Sequence, residues 1–204
     1  NNGWLNLDGT AEYVQISKSS VFDFGTGSWS IDGWMKTTDV SLAGYVIYLG
    51  KDADGRMAIH TTTAGKLNFF IDESVGGATN SLLSDNATWC DGNWHHFACI
   101  CNRDNAVHIL QVFKDGVLIG QENGVISGNI LAVDSIDCSS GDVFIGKHGE
   151  STSLFNGSLD EIRIYNRALD ESGILNTALD STGLTTSATK EVLKNYKHGK
   201  SKHS

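Results

Sequence analysis

Apolar and polar residues alternate with period two along most of this chain, and short Gly/Asp/Asn clusters break the alternation about every 8–12 residues. In WSIDGWM (29–35), Trp29, Ile31 and Met35 fall on one side and Ser30, Asp32 and Trp34 on the other. RMAIHTT (56–62) sets Met57 and Ile59 against Ala58 and His60. KLNFFID (66–72) sets Leu67, Phe69 and Ile71 against Asn68, Phe70 and Asp72. Hairpins are marked at KDADGR (51–56) and FKDGVLIG (113–120), where Asp-Gly supplies the positive dihedrals of a tight turn. About eleven strands fill residues 4–166, with no room for crossover helices. Antiparallel strands with one apolar face then stack as a two-sheet sandwich. The fold class is therefore all-β, with helical character only near the end. Leu169–Ala178 reads as a turn or two of helix, and Val192, Leu193 and Tyr196 are spaced for one apolar stripe. Residues 1–178 read as the sandwich and 179–204 as a linker and basic tail.

Composition narrows the picture. With 204 residues the chain can bury a sizeable single core. It has 23 Gly and no Pro, so its turns rest on Gly, Asp and Asn. Net charge is −9, unevenly placed: residues 186–204 hold five Lys and one Glu, the remainder ten basic and 23 acidic residues. An acidic body argues against nucleic acid and suits cations or neutral polymers, while the basic tail suits an acidic surface. No apolar run approaches the ~18–20 residues that cross a bilayer, and NNGWLNLDGT has no signal-peptide pattern. Cys99 and Cys101 share a strand face, and buried free thiols are expected for the four cysteines rather than a Cys90–Cys138 bridge.

The runs LNLDGTAEYVQI, GSWSIDGWMK, GNWHHFACICNR, FKDGVLIG, VFIGKH and FNGSLDEIRIYNRAL occur in that order. Together they resemble laminin G-like domains of the concanavalin A-like lectin/glucanase group, over roughly residues 3–170. The resemblance implies a β-jelly roll of two curved sheets that is non-catalytic, binds a ligand and often carries Ca²⁺. Cys99 and Cys101 depart from the small apolar residues usual there. The ending EVLKNYKHGKSKHS is similar to C-termini of structural proteins from marine bacteriophages. That implies a virion surface or extracellular setting, many copies, and capsid or tail proteins as partners of the basic tail.

Candidate chemistry centres on carboxylates and aromatics. Asp160 and Glu161 are adjacent in LDEIRIY (159–165), so on a regular strand they point to opposite faces and cannot flank one glycosidic bond. No Glu-x-Asp-x-Glu string occurs, which argues against a glycan hydrolase or lyase. If the first and last strands are neighbours, Asp8 and Asp160 can meet as ligands of Ca²⁺. The alternative makes Asp8 a turn residue and Asp160 a cap for local amides, with Glu161 and Arg163 as a charge pair. Asp52 and Asp54 start like a calcium loop but lack its bidentate Glu, so a hairpin turn is expected. The seven His show no metal spacing. On the non-core side of the strands, Asp32, Trp34, His60, Asn68, Phe70 and Asp72, together with Trp89, form a candidate carbohydrate or glycosylated-surface site. The alternative is that loops cover this side and bury its rings as a second small core. The reading is a glycan-binding, non-enzymatic module, with a purely structural role in a virion or matrix as the alternative.

Overall fold

The computed structural model describes residues 3–40, 44–52, 54–73, 79–84, 88–104, 108–123 and 135–180. The strands are β1 (Leu5–Asp8), β2 (Val14–Ile16), β3 (Asp23–Gly25), β4 (Trp29–Lys36), β5 (Tyr45–Lys51), β6 (Gly55–Thr61) and β7 (Leu67–Asp72). They continue with β8 (Thr79–Leu83), β9 (His95–Asn102), β10 (Ile109–Lys114), β11 (Val117–Asn123), β12 (Ile136–Asp137), β13 (Val143–Ile145) and β14 (Asn156–Tyr165). Helix α1 (Glu171–Asp180) follows. Among the described residues there are fourteen strands rather than the expected eleven, because β2, β3 and β12 have only two or three residues, too few to show alternation. The expected linker, apolar stripe and basic tail fall largely on 181–204, outside the described residues.

Two six-stranded antiparallel sheets form the sandwich. Sheet A runs β1-β14-β4-β9-β10-β11 and sheet B runs β2-β13-β5-β6-β7-β8. The inward sides chosen by alternation make one core, including Trp29, Ile31, Met35, Met57, Ile59, Leu67, Phe69 and Ile71. Trp29 meets Phe69 edge-on at 5.2 Å across the sheets. Cys99, Cys101 and Cys138 are buried free thiols, and Cys90 is free and half-buried. Burial pushes the Cys101 thiol up to about 11, as inert core thiols require.

The outward side of sheet A carries a second, smaller core. Leu169 and Ile174 of the closing segment pack on Ala98, Ile100 and Phe113. Ser30 fixes that segment by donating to the Arg167 carbonyl at 2.9 Å and accepting the Leu169 N–H at 2.9 Å. Asp170 caps α1, its carboxylate accepting the Gly173 N–H at 2.7 Å.

β14 is not a regular strand where Asp160 and Glu161 stand. Asp160 pairs with Trp34 and Arg163 with Asp32, so Glu161 and Ile162 together oppose Gly33. Glu161 takes a left-handed φ of 48°. This bulge shifts the core-facing set to Leu159, Ile162 and Ile164. Asp160 and Glu161 therefore share the outward side, which corrects the expectation of opposite faces. They remain separately engaged: Asp160 accepts the Glu161 N–H at 2.9 Å, and Glu161 is paired with Arg163.

A Cβ at Gly33, opposite the bulge, meets Ile162 Cδ1 at 2.5 Å, Phe97 Cζ at 3.2 Å and the Asp160 carbonyl at 3.3 Å, so these neighbours must shift to admit it. Gly33→Ala is expected to cost about 2 kcal/mol through overpacking. Urea denaturation of the variant checks this, and unchanged stability contradicts the tight bulge.

Candidate functional site

The outward side of sheet B holds the candidate site. Along β6, Met57 and Ile59 are spent on the core, so Arg56, Ala58 and His60 face outward. The β6–β7 register sets Arg56 opposite Asp72, Ala58 opposite Phe70 and His60 opposite Asn68. On β5, Tyr48 lies opposite Ala58. A bulge between Tyr45 and Ile47 sinks Val46 into the core and leaves Tyr45 opposite His60. Tyr45, Tyr48, Arg56, Ala58, His60, Phe70 and His148 line a cleft of about 190 Å³. A second cleft of about 470 Å³ adjoins it beyond Gly149 and Glu150, against Lys18, Lys51, Asp142 and Phe144.

Aromatic contacts set the walls. Tyr45 stacks on His60 with centroids 4.9 Å apart, and His148 stands edge-on to Tyr45 at 4.6 Å. The Arg56 guanidinium lies 4.9 Å from the centroid of Phe70. Arg56 is bridged by two carboxylates: Nη1 donates to Asp52 Oδ1 at 2.5 Å, and Nε and Nη2 reach Asp72 Oδ2 at 3.2 and 3.1 Å. Tyr48 also donates its hydroxyl to Asp52 Oδ1. Burial works to raise the Asp52 carboxyl, but the hydrogen bonds from Tyr48 and Arg56 outweigh it and hold it below its ordinary value. Burial and then the Asp52 contact push the Tyr48 phenol far up, so it remains a donor.

Both histidines are neutral by geometry. His148 Nδ1 accepts the N–H groups of Glu150 at 3.0 Å and Ser151 at 3.1 Å, which leaves the proton on Nε2. His60 Nδ1 donates to the Thr61 carbonyl at 3.0 Å while Nε2 accepts from Asn68 at 3.0 Å. Burial lowers both from the ordinary 6.5.

Four of the expected ligand residues thus come together: His60 and Phe70 line the cleft, and Asn68 and Asp72 hold His60 and Arg56. The other three do not join them. Asp32 and Trp34 lie on β4 in sheet A, so their outward side is the opposite side of the sandwich. Both are also buried, Asp32 fully, beside His96 at 3.7 Å and Arg163 at 3.8 Å. Trp89 is fully buried in the main core, its indole N–H donating to Ser84 Oγ at 3.0 Å. On sheet A the closing segment, rather than long loops, covers part of the outward side, and Trp34 is buried edge-on to His96.

The Asp8–Asp160 pair is not assembled either. β1 and β14 are neighbours as expected, but Asp8 stands opposite Asn156, four residues from Asp160, or about 13 Å along the strand. Asp8 accepts the Thr10 N–H at 2.8 Å as a turn residue. No group of three His, Cys, Asp or Glu suited to a metal occurs among the described residues. The residues named for Ca²⁺ do not fit it. No helix among the described residues is long and apolar enough to cross a membrane.

Sequence reasoning overlooked Tyr45, Arg56 and His148. Arg56 sits where the hairpin KDADGR meets the strand pattern RMAIHTT, and the β5 bulge hides Tyr45 from any count by two. No sequence signal marks His148, whose place depends on the fold of its loop.

A model of laminin G-type domains in the concanavalin A-like lectin/glucanases superfamily matches residues 8–175. Among curated proteins, no sequence matches. The CBM40 of Ruminococcus gnavus IT-sialidase bound to α2,3-sialyllactose superposes with a TM-score of 0.60 at 16% identity, over 82% of this chain and 97% of that one. Domains LG4-5 of the mouse laminin α1 chain superpose at 0.58 and 16%, over 83% of this chain and 44% of theirs. Domain 4 of AbnA, an extracellular arabinanase of Geobacillus stearothermophilus in complex with arabinotriose, superposes at 0.57 and 16%, over 90% and 76%. At these identities the likeness is one of fold.

The lowered histidines give a pH dependence of definite sign. Unfolded histidine binds its proton near pH 6.5 and the folded groups only below that, so acidification favours the unfolded chain. Stability is expected to be greatest well above pH 6.5 and to fall as the pH drops through and below 6.5. Thermal melts should show this, with a smaller drop in His60→Asn and His148→Gln. A melting temperature that rises over this interval contradicts the neutral assignment.

Proposed function

We propose, for a chain that belongs to the concanavalin A-like lectin/glucanases superfamily, that it is a non-catalytic carbohydrate-binding module whose site is the cleft on sheet B. The observation that carries the reading is the lining itself. Tyr45 and Phe70 offer ring surface for the apolar face of a sugar, while Asp52 and the His148 Nε2–H offer an acceptor and a donor for hydroxyls. Two fold neighbours are complexes with sialyllactose and arabinotriose, which supports a glycan as the ligand class. Calcium takes no part in this reading, because Asp8 and Asp160 stand apart along the β1–β14 pair.

Display in many copies, on a virion surface or outside the cell, belongs to the same proposal. A small open cleft binds one sugar weakly, and repetition raises the apparent affinity by roughly 10²–10⁴.

A glycan array probed with multimerised protein, followed by calorimetry on the best ligand, tests the site. Phe70→Ala and Tyr45→Ala are each expected to weaken binding at least about tenfold with little change in melting temperature, the size of one lost ring–sugar contact. Trp89 is core, so Trp89→Ala is expected to unfold the domain rather than alter its specificity, at a cost of about 3–5 kcal/mol. An array without any bound glycan, or undiminished binding by both cleft variants, contradicts the proposal.

A further inference from the structure

The charges in the cleft decide which sugars it can hold. Resting on the glycan-binding reading above, we infer that the cleft selects uncharged sugars and discriminates against those carrying sialic or uronic acid.

The first observation is the state of its one lining guanidinium. An acidic sugar is best held by an arginine fork that presents two parallel N–H groups to the carboxylate. Arg56 has both edges taken, by Asp52 Oδ1 at 2.5 Å from Nη1 and by Asp72 Oδ2 at 3.2 and 3.1 Å from Nε and Nη2. One of its faces lies over Phe70. A ligand carboxylate must displace a protein carboxylate that is already well placed, so exchange brings no gain in pairing.

The second observation is the balance of formal charge. Arg56 faces two carboxylates, and both histidines of the cleft are held neutral by the hydrogen bonds at their ring nitrogens. The group is therefore negative by one charge. Around it the formal charges cancel: Lys51 approaches Asp54 at 3.9 Å, and Lys147 and Glu150, on either side of His148, carry opposite charges. An anion entering this field is repelled, whereas a hydroxyl is not.

The third observation is what remains available to a neutral ligand. Asp52 keeps 36% of its side chain exposed and can accept from a hydroxyl. His148 Nε2 is 3.9 Å from Asp52 Oδ1, too far for a hydrogen bond, and its N–H can donate to a sugar oxygen. Acceptor, donor and ring surface suit a polyol without charge.

The test is an array of neutral oligosaccharides, each beside its counterpart carrying sialic or uronic acid, with calorimetry at pH 7.5 on the pairs that bind. Neutral members are expected to bind at least about tenfold more tightly, with little dependence on salt. Asp72→Asn removes one negative charge and releases an edge of Arg56, and it is expected to raise affinity for the acidic members several-fold relative to their neutral counterparts. If Asp72→Asn melts too low, a salt series on the unaltered protein decides: binding of the acidic members is expected to strengthen as salt screens the repulsion, and binding that weakens with salt overturns the inference. Acidic members binding as tightly as neutral ones, in a manner lost in Phe70→Ala, overturn the inference and leave the glycan-binding reading standing. Absence of binding to every member overturns both.

Discussion

Each sheet of a sandwich has two sides, and burial of the inner pair leaves the outer pair to be dealt with separately. The whole functional reading depends on how this chain does so. On sheet A, Leu169 and Ile174 cover Ala98, Ile100 and Phe113, and Ser30 ties the closing segment down. On sheet B, among the described residues, the outward side of β5, β6 and β7 stays open as a cleft. One side is closed by apolar packing, worth about 25 cal/mol per Å² removed from water. The other leaves Tyr45 and Phe70 half-buried, where a ligand can cover them.

The open side is rigidified by polar contacts rather than by apolar burial. Arg56 of β6 ties the turn after β5 to β7 through Asp52, Asp72 and Phe70, and Asn68 fixes His60. Hydrogen bonds of this partly buried, charge-assisted kind are stronger than neutral ones and orient the groups before any ligand arrives. Such preorganisation reduces the ordering cost of binding. The same contacts consume the positive charge, so rigidity and the charge balance of the cleft have one origin.

Much of this was legible in the chain. Alternation identified the inward residues of β4, β6 and β7, the Asp-Gly turns located two hairpins, and the motif order pointed to the superfamily that the family model matches. What alternation could not say is which sheet a strand joins. Asp32 and Phe70 both face outward, but sheet membership depends on pairings between distant segments, and those place the two on opposite sides of the molecule. Bulges were the second blind spot. At Glu161 and at Val46 one additional residue shifts the count by two, bringing Asp160 and Glu161 to one side and Tyr45 into the cleft. Nothing short of the register reveals them.

The most direct test is a crystal structure of the protein with a neutral oligosaccharide that it binds. The account predicts sugar seated between Tyr45, Phe70 and His148, with a hydroxyl on Asp52 and the Arg56–Asp72 contact intact. Sugar bound on the outward side of β4 and β9 instead, or a ligand carboxylate seated on Arg56 in place of Asp72, would contradict it.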